Sequence, residues 1–193
     1  MMKVRTLIFA TILALSCALT AAAQGGIQCD IKPARAPELR GLRLEMTLSQ
    51  VKARYPKLPA GSADSLGQQR LGLTRERLAE IDPVAFKGVE DVFLYFIDDR
   101  LVSFAVTYPD LPWKGLAQFT ARMGEALNLP DGWHGDQYRQ MLDCNGFQVV
   151  AGTRSSSAVS MSNYLQFTEP GAEGIIRGRE EKQREQQLQS FRP

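Results

Sequence analysis

Six apolar residues stand in a row at 92–97, followed by Asp98-Asp99 and then by a run in which Val102, Phe104, Val106 and Tyr108 alternate with Ser103, Ala105 and Thr107. Alternation of period two predicts a strand, and two such runs joined by a polar pair predict a hairpin. The unbroken first run predicts a central strand with both faces at least partly covered. A second hairpin is predicted around Asn145-Gly146, between runs at 138–143 and 147–153, because a type I′ turn needs positive φ at both of its central residues. A strand at 69–74, and one from Ala158 to about Ser162 or on to Phe167 after a serine-rich turn at 154–157, complete an antiparallel sheet of about six strands.

Between these runs the period changes. Trp113, Leu116, Phe119, Met123 and Leu127 recur at spacings of three and four up to Pro130, which predicts an amphipathic helix lying on the sheet. Thr47-Leu48-Ser49-Gln50 has the form of a capping box, with Met46 and Val51 at the staple positions, so a short helix starts there and ends at Pro56. Residues 75–81 suit one or two helical turns before Asp82-Pro83. Beyond 172 the composition becomes charged: Ile175 and Ile176 lie at one end and Leu188 and Phe191 at the other, with nothing apolar between Arg177 and Gln187 except Gly178. Spacings such as Glu180 to Arg184 and Arg177 to Glu181 favour a helix. With no stripe to bury, that helix is expected to project into solvent, so a chain ending at Gly171 is expected to unfold like the whole.

One stretch repeats. Leu48-Ser49-Gln50-Val51-Lys52-Ala53-Arg54 matches Leu116-Ala117-Gln118-Phe119-Thr120-Ala121-Arg122, and looser echoes join Leu58-Pro59 to Leu129-Pro130 and Val102-Ser103-Phe104 to Val159-Ser160-Met161. Two layouts stay open: an undivided α+β domain with two helices on its sheet, or two α-β-β-β units sharing that sheet.

Composition and charge narrow the class. The first 23 residues hold 17 apolar side chains behind the basic residues Lys3 and Arg5, and Ala21-Ala22-Ala23 offers a small-residue cleavage site. A signal peptide over 1–23 is expected, with an extended arm at 24–40, one α+β domain at 41–171 and a charged, helical tail at 172–193. The rivals are an uncleaved anchor and lipidation at Cys17. After Gln24 the chain carries 21 basic and 21 acidic residues, a balance that argues against nucleic acid as partner. No integral membrane segment is expected once the signal is removed. A periplasmic or secreted destination would pair the two remaining cysteines, Cys29 and Cys144; the rival state is two free thiols.

Candidate chemistry is sparse. Ser49-Gln50-Val51-Lys52 has the serine-lysine spacing of penicillin-binding enzymes, but Ser49 already lies in a capping sequence and no Lys-Thr-Gly strand accompanies it. His134 is the single histidine, and no serine lies in a nucleophile-elbow pattern. Trp133-His134-Gly135-Asp136 is where an aromatic ring, an imidazole and carboxylates crowd together; the rival account is a loop whose Trp covers the core edge. Asp98-Asp99 is read as a turn. No phosphate loop, zinc spacing or calcium loop is found, and no cofactor is expected.

The run Leu42-Arg43-Leu44-Glu45-Met46-Thr47-Leu48-Ser49-Gln50-Val51 resembles the Leu-x-x-Gly-Met-Thr-x-x-Gln-Val start of the first helix in BamE/SmpA-like envelope proteins, whose fold is related to the β-lactamase inhibitory protein. Glu45 stands where that pattern has glycine. The resemblance implies a small exported α+β module that binds another protein and catalyses nothing. The expected partner is an envelope or extracellular protein. The candidate binding surface comprises Trp133, His134 and Asp136 together with Ile175, Ile176, Leu188 and Phe191. Alternatives are a small periplasmic hydrolase using the 133–136 loop and a carrier for a small apolar ligand.

Overall fold

The alternating runs pair into one antiparallel sheet of seven strands in the computed structural model, which describes residues 29–109, 115–157 and 160–191. The expected signal peptide, Cys17, the Gln24 start, Trp113, Ala158 and Val159 lie outside the described residues. In chain order the elements are a 3-10 turn Pro33–Arg35, α1 Leu48–Arg54, β1 Gln68–Thr74, α2 Arg75–Ile81, β2 Asp91–Ile97, β3 Arg100–Tyr108, α3 Leu116–Leu127, β4 His134–Gly135, β5 Arg139–Asp143, β6 Gln148–Ser157, β7 Ser160–Thr168 and α4 Ala172–Ser190. The strands lie side by side in the order β1-β2-β3-β7-β6-β5-β4. All six predicted strands are present, but 154–157 is not the expected turn: β6 runs on through it, with Arg154 opposite Ser162 and Ser155 opposite Met161. The seventh, β4, has two residues, too few to carry an alternation.

This order places α1-β1-β2-β3 and α3-β5-β6-β7 as mirrored halves joined where β3 meets β7 in antiparallel register, Ser103 opposite Thr168 through Tyr108 opposite Asn163. The seven-residue sequence match falls on α1 and on the start of α3. The weaker echo of Phe104 in Met161 does not extend to environment, since Phe104 is fully buried and Met161 is exposed. α2 in the first half and β4 in the second have no counterparts.

Helices α1, α2 and α3 share one face of the sheet. Val51, Leu78 and Phe119 pack there with Leu94, Phe104, Val149, Leu165 and Phe167 in a continuous core. Phe104 and Phe167 stack across the β3–β7 seam with centroids 5.0 Å apart. Burying each such ring contributes about 2–3 kcal/mol. The predicted cap on α1 is formed: the Gln50 amide donates to Thr47 Oγ1 at 3.1 Å, and the Thr47 amide donates to Gln50 Oε1 at 2.9 Å.

The hairpin turns differ from expectation. Asp98 and Asp99 both take positive φ, 50° and 64°, and make the tight turn between β2 and β3. At Asn145-Gly146 only Gly146 is left-handed, at 92°. The cause is the N-terminal arm: the Asn145 amide donates to the carbonyls of Cys29 at 3.0 Å and Ile31 at 3.2 Å, which fixes that peptide plane. The arm is thus docked, with Cys29, Ala36 and Leu39 buried, and Cys29 forms a disulfide with Cys144, 115 positions away.

α4 also departs from the sequence picture. Its first turns lie on the sheet face opposite the other helices, where Ala172 and Ile176 pack with Ile97 and Val102. A bulge in β3 turns Val102 to this face, away from Phe104, Val106 and Tyr108, with which the alternation groups it. Only the part beyond these turns is solvated as expected, with Leu188 and Phe191 exposed.

Candidate binding face

A seven-stranded sheet has two faces, and three of the four helices cover the same one. Among the described residues the other face is covered only at one end, by the start of α4. Its surface is set by the residues whose side chains alternate away from the core. The registers arrange them in rows that cross the sheet, one of them through all seven strands. Gly72, Phe93, Ala105, Gln166, Val150, Met141 and His134 oppose one another in sequence from one edge to the other. A row on one side runs Arg70, Tyr95, Ser103, Thr168, Gln148, Asp143, and a row on the other runs Thr74, Asp91, Thr107, Tyr164, Gly152, Arg139.

Within this surface small side chains form the floor and long ones the relief. Ser103, Thr107 and Val150 are buried, whereas Phe93 is 42% exposed with only Gly72 and Ala105 beside it in its row. The Tyr164 ring lies over Gly152, so a β-carbon there would overlap it. The Arg70 guanidinium sits 4.9 Å from the Tyr95 ring centre, a cation–π contact, and the Tyr95 hydroxyl donates to Gln68 Oε1 at 2.6 Å. Asp91 accepts from Thr107 Oγ1 at 2.9 Å and from Arg154; Gln166 donates to Ser103 at 3.2 Å; Ser162 donates to Glu90 at 2.5 Å. Most polar groups of the face are thereby held in place by one another, and a partner meets a pre-ordered surface.

The residues singled out from the sequence do not form one site. Trp133 turns toward α3, where its indole lies over Gly124 and against the core. His134, next along β4, turns to the open face, with Nε2 3.3 Å from Asp143 Oδ2. Asp136 folds back on its own chain and accepts from the amides of Tyr138 at 2.7 Å and Arg139 at 2.8 Å, bonds that hold its carboxyl below its ordinary pKa. Strand alternation separates Trp133 from His134, and turn chemistry occupies Asp136. The structure therefore brings no acid, base and aromatic together in the 133–136 loop. Ser49 accepts or donates a bond to the Thr47 hydroxyl at 2.7 Å, within the cap. Ile176 is a packing residue, not a surface one; Ile175, Leu188 and Phe191 are exposed but lie on the tail.

Two other features frame the face. At one end, Arg100 donates to Glu169 at 2.9 Å, yet burial outweighs this contact and pushes the Glu169 carboxyl above its ordinary pKa. On the helical side, an open groove of about 780 Å³ runs between the arm and the end of α3, lined by Asp30, Ile31, Arg35, Asn128, Leu129 and Pro130 among others. Among the described residues no group of His, Cys, Asp and Glu is placed to hold a metal ion, and no helix is long and apolar enough to cross a membrane.

The open face was half legible. Ser103, Ala105 and Thr107 read as the polar side of their strand, but the sequence did not show that α1, α2 and α3 all choose the opposite side. No protein-family model matches the chain, and no curated protein or solved structure is found to match it. Its class is thus defined by architecture: an α+β protein with one seven-stranded antiparallel sheet, one face cored and, among the described residues, the other largely bare.

Proposed function

We propose that this chain is an exported, non-enzymatic protein-binding module whose partner lies on the open face of the sheet. One observation carries this: the bare face presents Phe93, Tyr95, Tyr164, Met141 and Arg154 above a floor of small residues. Aromatic residues, methionine and arginine are the types enriched where proteins meet, and pre-ordered polar groups lower the cost of association. A broad, nearly flat surface suits another folded protein better than a small ligand, which prefers a concavity. Export is supported by the basic-then-apolar start of the sequence with its Ala-x-Ala site and by the disulfide, since such bonds persist in oxidising compartments. Binding rather than catalysis accords with the divergence of Trp133, His134 and Asp136.

The test is site-specific photocrosslinking in intact cells, with the crosslinker at Phe93 or, as the control on the helical side, at Lys52. Capture of one protein from Phe93 and none from Lys52 is expected. A crosslinker at Phe93 that captures nothing, or a hydrolytic activity of the purified chain that disappears in His134→Ala, would overturn the proposal.

A further inference from the structure

The sheet has two edges, and they are treated differently. Beyond β5 one edge carries β4, and at its end the arm is laid alongside, Cys29 bridging Cys144 in parallel while the Asn145 amide bonds to the arm carbonyls. The other edge is β1. There the Gln68 carbonyl accepts from the Asp64 amide at 2.8 Å and the Gln68 amide donates to Asp64 Oδ1 at 2.9 Å, so the main-chain groups of Gln68 face outward, while the Gly67 carbonyl faces β2 and accepts from Asp98. Alternation then turns the amides of Arg70, Gly72 and Thr74, and the carbonyls of Arg70 and Gly72, outward as well. Among the described residues none of these groups has a main-chain partner. Such a row is a template for another strand, and proteins usually blunt or cover it.

The side chains along this edge select what would pair with it. Arg70, Gly72 and Thr74 are exposed, and nothing lies within 4 Å of the place a Gly72 β-carbon would occupy. That space borders the half-exposed ring of Phe93, directly opposite Gly72. Charge is also one-sided. Asp91 and Glu90 near the far end are engaged by Arg154, Thr107 and Ser162, whereas neither Arg70 nor Arg75 has a carboxylate within ion-pair distance among the described residues.

We infer that the β1 edge, at Arg70 to Thr74, receives an extended acidic segment of a partner protein by strand addition, with an aromatic or large aliphatic side chain over Gly72 against Phe93 and a carboxylate two positions away beside Arg70. This deepens the proposed function and rests on it, because the added strand continues the open face. Main-chain bonds supply the affinity, and the alternate pockets at Gly72 and Arg70 supply the selectivity. A second copy pairing through Gly72 would leave the space over both glycines empty, and Arg70 would face Thr74 instead of a carboxylate.

The probe is the synthetic peptide Thr-Val-Asp-Val-Phe-Val-Glu-Val-Thr, added to the full disulfide-bonded chain and followed by residue-resolved amide exchange. Without peptide, Arg70, Gly72 and Thr74 should exchange fast and Gln69, Leu71 and Leu73 slowly. Saturating peptide should slow the first three by about tenfold or more. Gly72→Pro, tolerated at an edge because the lost amide faces outward, should abolish that protection, and Arg70→Glu should weaken binding about tenfold. Each variant must retain the slow exchange of Leu71 and Leu73, which shows that the sheet is intact. Protection elsewhere only, no protection at all, or equal binding of a peptide N-methylated on alternate amides overturns the inference. So does a peptide-free dimer in which the same three amides are already protected. Failure of the peptide while a crosslinker at Phe93 still captures a protein removes the edge site alone; protection by the peptide with no capture at Phe93 removes the open-face proposal alone.

Discussion

Arg179 of α4 reaches back to Asp98 at the tip of the β2–β3 hairpin and engages both carboxylate oxygens, at 2.9 Å and 2.5 Å, while also donating to the Leu66 carbonyl at 2.5 Å. The same turn faces the other way through Asp99, whose carbonyl accepts from the Leu48 amide at the start of α1 at 3.1 Å. Two aspartates in left-handed conformation thus tie a helix from each side of the sheet to one turn.

The first prediction concerns acid. Hydrogen bonds from Arg179 hold the Asp98 carboxyl below its ordinary pKa. A carboxylate depressed in the folded state contributes stability that is complete above its unfolded pKa and is lost as pH falls through the folded one. The docking of α4 at Asp98 should therefore persist at neutral pH and loosen below about pH 4. Protection factors of the 177–183 amides, taken against the intrinsic rate at each pH, should fall across that range in the native chain, whereas in Asp98→Asn they should be low already at neutral pH. Protection insensitive to both changes would show that Ile176 alone holds the helix.

A second prediction separates the two ends of that helix. Ile176 is 7% exposed and packs on Val102 and Ile97, so Ile176→Ala should cost about 2–4 kcal/mol in urea unfolding. Leu188→Ala and Phe191→Ala should change nothing measurable. Ending the chain at Gly171 should destabilise the domain, against the sequence-based expectation, because it removes Ala172 as well as Ile176. A chain ending after Arg184 should unfold like the whole.

The disulfide gives a third. Closing a loop of this length removes about 4–5 kcal/mol of chain entropy from the unfolded state. Cys29→Ser with Cys144→Ser should shift the unfolding midpoint accordingly, and the Asn145 amide should lose protection as the arm frays. A midpoint unchanged in the double variant would mean that Ala36 and Leu39 hold the arm unaided.

Two left-handed residues before α1 make a matched pair of tests. Gly41 has φ 71°, and a β-carbon there would overlap the side chains of Arg54 and Tyr55. Gly41→Ala should cost about 2 kcal/mol or more. Glu45 has φ 67° at the position where the resembled pattern has glycine. Glu45→Gly should be neutral or stabilising by about 0.5–1 kcal/mol, as relief of the left-handed strain is offset in part by chain entropy. The midpoint of thermal unfolding should fall in Gly41→Ala and hold or rise in Glu45→Gly.

These cases also show what the sequence made legible. Period two in 103–108 and period three to four in 116–127 each follow from one face meeting the core, so strands and helices could be read locally; the bulge that turns Val102 to the other face leaves no mark in the alternation. The capping box at Thr47 and Gln50 was readable because both partners lie within one turn. Turn geometry at Asn145 was not, since the deciding contact comes from Cys29 and Ile31, more than a hundred residues earlier. The choice of face by α4 was hidden for the same reason: Ile175 and Ile176 are adjacent and equally apolar, and only Val102 and Ile97 across the sheet decide which is covered. The open face itself is a property of how all the helices are distributed, which no short window contains.

The β3–β7 seam has a kinetic consequence. Its register pairs join residues roughly 60 positions apart, while the other ladders join neighbours in the chain, so each half can form its meander before the halves meet. Closing the seam pays loop entropy last and yields the Phe104–Phe167 stack only then. Because each ring also packs within its own meander, the seam is isolated by the coupling between Phe104→Leu and Phe167→Leu in a double-mutant cycle. That coupling should appear on the unfolding limb of a chevron plot and leave the refolding rate almost unchanged, whereas a lesion within one meander, such as Leu94→Ala, should slow refolding.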